Sequence, residues 1–205
     1  LELSIFLSLP ATLALLIGSE EIISALFGYG SFDKIAVENS SLALYYFSFG
    51  LPAFAFIKVF SSFFFANHNT KLPFYISFIS VLLNIFISIY YFKDIGFIII
   101  PIATSISSWF NALILFIYLK KENLFYFEKN FVIKFIKISF ASLLMCLLFE
   151  FLISDYENLL AYGYNFKLFY LILFVILAFI FYLLISIFIK AFKYKTTSFR
   201  GRFFN

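Results

Sequence analysis

Long apolar runs broken at short polar intervals organise this chain, with segments near 1–17, 41–66, 73–92, 96–119, 131–153 and 166–189 dominated by Leu, Ile, Phe and Val. Runs of about 18 residues or more predict membrane-spanning helices. They do not alternate with a period of two, which disfavours barrel strands. The stretches 18–40, 120–130 and 154–165 hold most of the polar residues and read as linkers, the first of them a solvated loop carrying Glu20, Glu21, Asp33 and Glu38. Positions 66–71 and 92–96 read as tight hairpins, which make their flanking segments antiparallel neighbours.

Composition strengthens this picture. The chain is 64% hydrophobic and 13% charged, with 35 Phe among 205 residues and a mean hydropathy of +1.03, against about 25% charged residues in ordinary globular chains. The predicted fold is all-α, a polytopic integral membrane helical bundle of about six transmembrane helices. The chain opens on an apolar Leu1 with no basic leader or cleavage motif, which suggests a piece of a longer protein rather than a signal peptide.

Charge predicts orientation. Placing the 67–72 hairpin, the 120–137 stretch and the tail after 189 on one side gathers eleven cationic residues: Lys71, Lys120, Lys121, Lys129, Lys134, Lys137, Lys190, Lys193, Lys195, Arg200 and Arg202. The other side holds three, Lys34, Lys93 and Lys167. The positive-inside rule assigns the first side, and so both ends of the chain, to the cytoplasm. Asp94, Asp155 and Glu157 fall outside with the acids of 18–40. The net charge of +4 is then a topological signal and gives no support to nucleic acid as a partner. The basic tail can orient the last helix or bind anionic lipid headgroups.

Chemistry-bearing residues are sparse. Cys146 and His68 are each alone of their kind, so no disulfide, His/Cys metal cluster or organic cofactor is expected. Lys58, His68 and Glu150 fall on different segments and depths, so no catalytic constellation, and hence no enzyme, is expected. Lys58 stands out because it lies inside an apolar segment with no acid between Glu38 and Asp94. It is eight residues from Ala66, roughly 12 Å along a helix. An ionisable group at that depth costs about 2.5–3.5 kcal/mol and normally faces a bundle interior or a watery cavity.

Polar stripes run along several segments: Ser4, Ser8 and Thr12; Lys58 with Ser61 and Ser62; Ser77, Ser80, Asn84 and Ser88; Thr104, Ser108 and Asn111; Ser139, Ser142, Cys146 and Glu150. They serve either as helix–helix contacts or as a cavity lining. Lys58, Ser61, Ser62, Asn84, Thr104, Ser108 and Asn111 are the substrate-cavity candidates. Asn84, Ser88 and Thr104 form a weak candidate site for a monovalent cation, without a carboxylate. Pro10, Gly50, Pro52 and Pro101 interrupt spans and are hinge candidates. His68, Asn69 and Lys71 mark the 66–71 hairpin.

Five ordered motifs carry a resemblance. They are Leu9-Pro10-Ala11; Leu26-Phe27-Gly28-Tyr29-Gly30-Ser31-Phe32-Asp33; Tyr46 through Gly50-Leu51-Pro52-Ala53-Phe54 to Lys58-Val59; Phe64-Phe65-Ala66 with Asn69-Thr70-Lys71-Leu72-Pro73; and Ala103-Thr104-Ser105 with Trp109 and Asn111-Ala112. Together, residues 9–111 resemble the MurJ/MviN family, the lipid II flippases of the MOP exporter superfamily. Asn69 and Leu72 depart from the family's Asp and Thr, which predicts a hairpin that has lost a charge and a cap. Ser88 stands where the family often has Asn or Asp.

The resemblance implies the following. Residues 1–120 are four helices of a second transmembrane lobe, and residues 121–205 are a terminal helix pair with a basic cytoplasmic tail. The complete protein flips lipid II, or a similar polyprenyl-pyrophosphate-linked sugar, across a bacterial inner membrane by alternating access. Its partners are membrane lipids and the N-terminal lobe absent from this sequence. The alternatives are another MOP-type exporter, of lipid-linked oligosaccharides or drugs, and a non-transporting structural membrane subunit.

Overall fold

Pro10 sits in the middle of the first helix, where it removes one N–H and crowds the carbonyl four residues back. That carbonyl, Phe6 O, accepts a 2.7 Å hydrogen bond from the Tyr182 hydroxyl in the last helix. The helix consequently runs unbroken through the proline. In this computed structural model, which describes residues 1–126, 130–156, 160 and 164–191, a second cross-helix contact of this kind lies at the bend near Gly50. Replacing Tyr182, which is fully buried, by Phe keeps the ring and strands the Phe6 carbonyl. Loss of about 1–3 kcal/mol of stability is expected, read as a lower unfolding temperature of the complete protein in detergent.

Eight α-helices occupy the described residues: α1 Glu2–Ile17, α2 Ser19–Phe27, α3 Lys34–Ser48, α4 Leu51–Ala66, α5 Lys71–Ile95, α6 Ile99–Lys121, α7 Phe131–Asp155 and α8 Lys167–Phe188. The runs 71–121, 131–155 and 167–188 are each long and apolar enough to cross a membrane, and with each of the bent pairs α1–α2 and α3–α4 counted as one span the number by length and composition rises from three to five. The 51-residue first run is a hairpin. Asn84 bonds Thr104 and Asn111 bonds Ser77, two pairs centred on the same position. Gly96, with φ +74°, reverses the chain in a conformation that side chains rarely adopt. Each arm of the hairpin, 25 and 23 residues, exceeds the roughly 20 needed to cross, so about six crossings result.

The sequence places a loop over 18–40, but most of it is helical. α2 leaves α1 at 80°, with Glu20 and Glu21 in its first turn, where the helix dipole favours negative charge. The Asp33 carboxylate caps α3 through the Ala36 N–H at 2.8 Å, so the second segment starts at Lys34 rather than near 41.

Packing groups the helices around two larger cores and a small third one of Ile5, Ile138 and Ala191. Ala25, Met145, Phe149, Phe174 and Tyr182 join α2, α7 and α8. Phe60, Phe64, Ile76, Leu115 and Leu119 join α4, α5 and α6. α1 and α7 are parallel: the Lys134 ammonium bonds the Glu2 carboxylate at 2.7 Å at one end, and Gly18 approaches Phe149 at the other. Outward faces are apolar, with Ile89 73% and Phe188 87% exposed, as suits a surface wetted by lipid. Of the charges that predict orientation, Lys129, Glu157, Lys193, Lys195, Arg200 and Arg202 lie outside the described residues.

Candidate functional site

α4 turns Pro52, Ala53, Phe60 and Phe64 inward. Lys58 lies on its other face and is exposed, with Phe54 one turn before and Ser62 one turn after. Among the described residues no carboxylate pairs with Lys58. The Ser62 hydroxyl donates to Val59 O at 2.6 Å, and Ser61 is half-buried beside it. A chain section that buries neither the ammonium nor its serine leaves that face open to water, substrate or another part of the protein.

The other cavity candidates lie elsewhere. α6 sits between α4 and α5, and Asn84, Thr104, Ser108 and Asn111 fall along the α5–α6 seam. The Asn84 amide donates to Thr104 Oγ1 at 3.0 Å, while Thr104 Oγ1 donates back to Ile100 O at 2.8 Å. Ser108 donates to Thr104 O at 2.7 Å, and the Asn111 amide donates to Ser77 Oγ at 3.3 Å. Interhelical bonds of this kind contribute about 0.6 kcal/mol each on average. Ser88 Oγ and Asn111 Oδ1 are buried without a hydrogen-bond partner among the described residues. The Asn84, Ser88 and Thr104 set offers a cation only neutral oxygens, one of them already shared by two bonds, and hard cations favour carboxylates.

The hinge candidates divide. A 41° bend separates α3 from α4 at Gly50 and Pro52, where the Gly50 N–H turns to Phe47 O at 2.9 Å. The Ser105 hydroxyl donates to Tyr46 O at 2.6 Å, and the Trp109 indole N–H donates to Phe49 O at 2.9 Å. Pro10 lies in an unbroken helix. Pro101 occupies the first turn of α6, where its missing N–H has no intrahelical acceptor to serve. The sharpest bend, at Gly18, was not among the sequence candidates.

In the 66–71 hairpin, His68 has φ +55° and is exposed with Lys71. Thr70, the N-cap of α5, makes no side-chain cap bond. Asn69 Oδ1 accepts the Leu72 N–H at 3.2 Å, because an amide oxygen serves that donor as a carboxylate does.

Sequence reasoning also missed Lys167, counted there only as one of the three charges of the second side. It is fully buried. Its ammonium donates to Gly28 O at 2.7 Å and approaches Ser24 Oγ at 3.4 Å. It also stands 4.3 Å from the Tyr29 ring centroid. The C-terminus of α2 carries partial negative charge, so a cation there fixes α2 to the start of α8. Sequence carries no signal for this contact, since the partners are 139 and 143 residues away.

Comparison with known proteins bears on the whole arrangement. A family model described as "Lipid II flippase MurJ" matches residues 1–171. The probable lipid II flippase MurJ of Rickettsia prowazekii (strain Madrid E) is 31% identical over 146 residues, 71% of this chain and 28% of that protein. The corresponding protein of Rhizobium meliloti (strain 1021) is 39% identical over 117 residues, 56% of this chain and 22% of that protein. A solved structure, "Lipid II flippase MurJ, inward closed conformation", superposes with a TM-score of 0.74 at 26% identity, covering 91% of this chain and 37% of that one. In the Rickettsia and Rhizobium relatives the matched region is under a third of the length.

Proposed function

Because the chain belongs to the MurJ family of lipid II flippases, as its match over residues 1–171 establishes, we propose that the complete protein moves lipid II from the inner to the outer leaflet by alternating access. The observation that carries this reading is the position of Lys58, exposed on the face of α4 that no described helix covers. A pyrophosphate-sugar headgroup needs a hydrated cationic cavity, and a polyprenyl tail needs apolar surroundings. Lys58 supplies the first, with Ser62 one turn on. The lipid-facing sides of α7 and α8 supply the second, Leu147 and Leu184 among them. Residues 1–120 act as part of the second lobe and 121–205 as the terminal pair, with the first lobe completing the cavity.

Orientation follows the charge asymmetry. Lys71, Lys120, Lys121, Lys134 and Lys190 gather at the end of the bundle that also holds Leu1, whereas Lys34, Lys93 and Lys167 lie at the opposite end. The first end faces the cytoplasm and the chain resides in a bacterial inner membrane. A membrane potential of 100 mV contributes about 2.3 kcal/mol per charge moved, enough to bias one leaflet over the other. The test is direct. The complete protein, purified and placed in vesicles, should carry fluorescent lipid II to the opposite leaflet, read by accessibility to an impermeant quencher. Movement of a lipid-linked oligosaccharide but not of lipid II would instead indicate a different exporter of the same superfamily.

A further inference from the structure

A helix interrupted inside a membrane exposes carbonyls that have no water to bond, each at several kcal/mol if left unsatisfied. At the α3–α4 bend Pro52 removes one donor, and the Gly50 N–H is redirected to Phe47 O. Two donors from one face of α6 serve carbonyls at the bend, and one of them, Tyr46 O, is the carbonyl that the Gly50 N–H leaves. Ser105 and Trp109, one helical turn apart, hold Tyr46 O at 2.6 Å and Phe49 O at 2.9 Å. Gly50 makes the approach possible: a Cβ there would stand 3.0 Å from Ser105 Oγ and 3.2 Å from Ser105 Cα. The α6 helix is in turn tied to α5 by the Asn84–Thr104 and Asn111–Ser77 bonds, so the bend is referenced to a rigid hairpin. A groove of about 650 Å³, lined by Tyr46, Phe49, Ser105, Trp109 and Leu113, opens beside the contact and leaves room for it to let go.

We infer that Ser105 and Trp109 are positioning residues: their two donated hydrogen bonds set the angle at which α4, and with it Lys58, leaves α3. Lys58 lies eight residues beyond Gly50, about 12 Å along the arm, so a change of angle at the bend becomes a displacement of the ammonium. With the bonds made, the arm holds the orientation seen here; with both released, the α4 packing onto α1, α5 and α6 is left to restrain it. The inference uses the alternating-access reading for the purpose of the motion, while the contact itself stands on the geometry.

The test uses the complete protein in vesicles, in a background lacking other cysteines, with Ser62→Cys as a reporter beside Lys58 and Asp94→Cys in the exposed hairpin turn as a control. Modification by an impermeant maleimide is timed from each side. The double variant S105A/W109F, which keeps the aromatic contact between position 109 and Phe56, should change the Ser62→Cys rate at least fivefold on one side and leave Asp94→Cys unchanged. S105T, which retains the hydroxyl, should keep the native rate. A reporter rate within twofold of native overturns the inference, as does a proportional change at both positions, the signature of a generally loosened bundle. Because the readout is accessibility, a failure of lipid II movement would overturn the flippase reading and leave this one standing.

Discussion

Replacing Lys58 by alanine in the complete protein is expected to reduce lipid II translocation at least tenfold while leaving accumulation of the protein unchanged or improved. The two halves of this expectation have different origins. A lysine inside an apolar span costs about 2.5–3.5 kcal/mol on insertion scales, and among the described residues no carboxylate offsets it. Removing the ammonium therefore relieves the fold. The same removal takes away the positive charge proposed to meet the pyrophosphate, so activity falls as stability holds or rises. Lys58→Arg, which preserves the charge, should retain most of the activity. Vesicle transport measured beside thermal unfolding separates the effects, and full transport by a well-expressed Lys58→Ala protein would remove Lys58 from the mechanism.

The second large effect is steric. Gly18 forms the 80° corner between α1 and α2, and a Cβ built on it would lie 2.7 Å from Phe149 Cε1 and 3.2 Å from the Ala14 carbonyl oxygen. Phe149 is fully buried in the core that also holds Ala25 and Tyr182, so its ring has nowhere to retreat. Overpacking of this kind costs roughly 1–3 kcal/mol and occasionally more. Gly18→Val, which adds two methyls beyond the clashing carbon, belongs at the upper end and should sharply lower the unfolding temperature. Shrinking the opposing side chain in Gly18→Ala/Phe149→Leu should recover part of the loss suffered by Gly18→Ala alone. An unaltered unfolding temperature for Gly18→Val would mean that the close approach does not exist.

Sequence alone reveals the apolar spans, the hairpin turns and the charge asymmetry because each is local or additive. The helical α2 escapes it. Nine residues with two glutamates in the first turn look like a loop, and the helix they form packs on α3 and meets the Lys167 cation at its far end. Lys58 is visible as a charge out of place, yet the face it occupies is not. In a membrane the core-facing and lipid-facing sides are both apolar, so hydrophobic periodicity no longer separates inside from outside. Asn84 and Asn111 were open between cavity and contact for the same reason; the structure places both in the α5–α6 seam. Gly50 and Pro52 announce a break by their chemistry. The residues that repair it, Ser105 and Trp109, are 59 and 60 positions away from the carbonyls they serve, a distance that only tertiary structure closes.

The bond from Tyr182 to the Phe6 carbonyl joins residues 176 positions apart, and this separation has a consequence for biogenesis. Ribosomes extend a chain at roughly 5–20 residues per second, so the carbonyl exposed by Pro10 stays without that donor for about 10–35 seconds after it is made. During this interval α1 must shelter in the insertion machinery or borrow a temporary donor. A helix made later then completes one made earlier, and a chain halted before Tyr182 would enter the membrane with α1 unfinished.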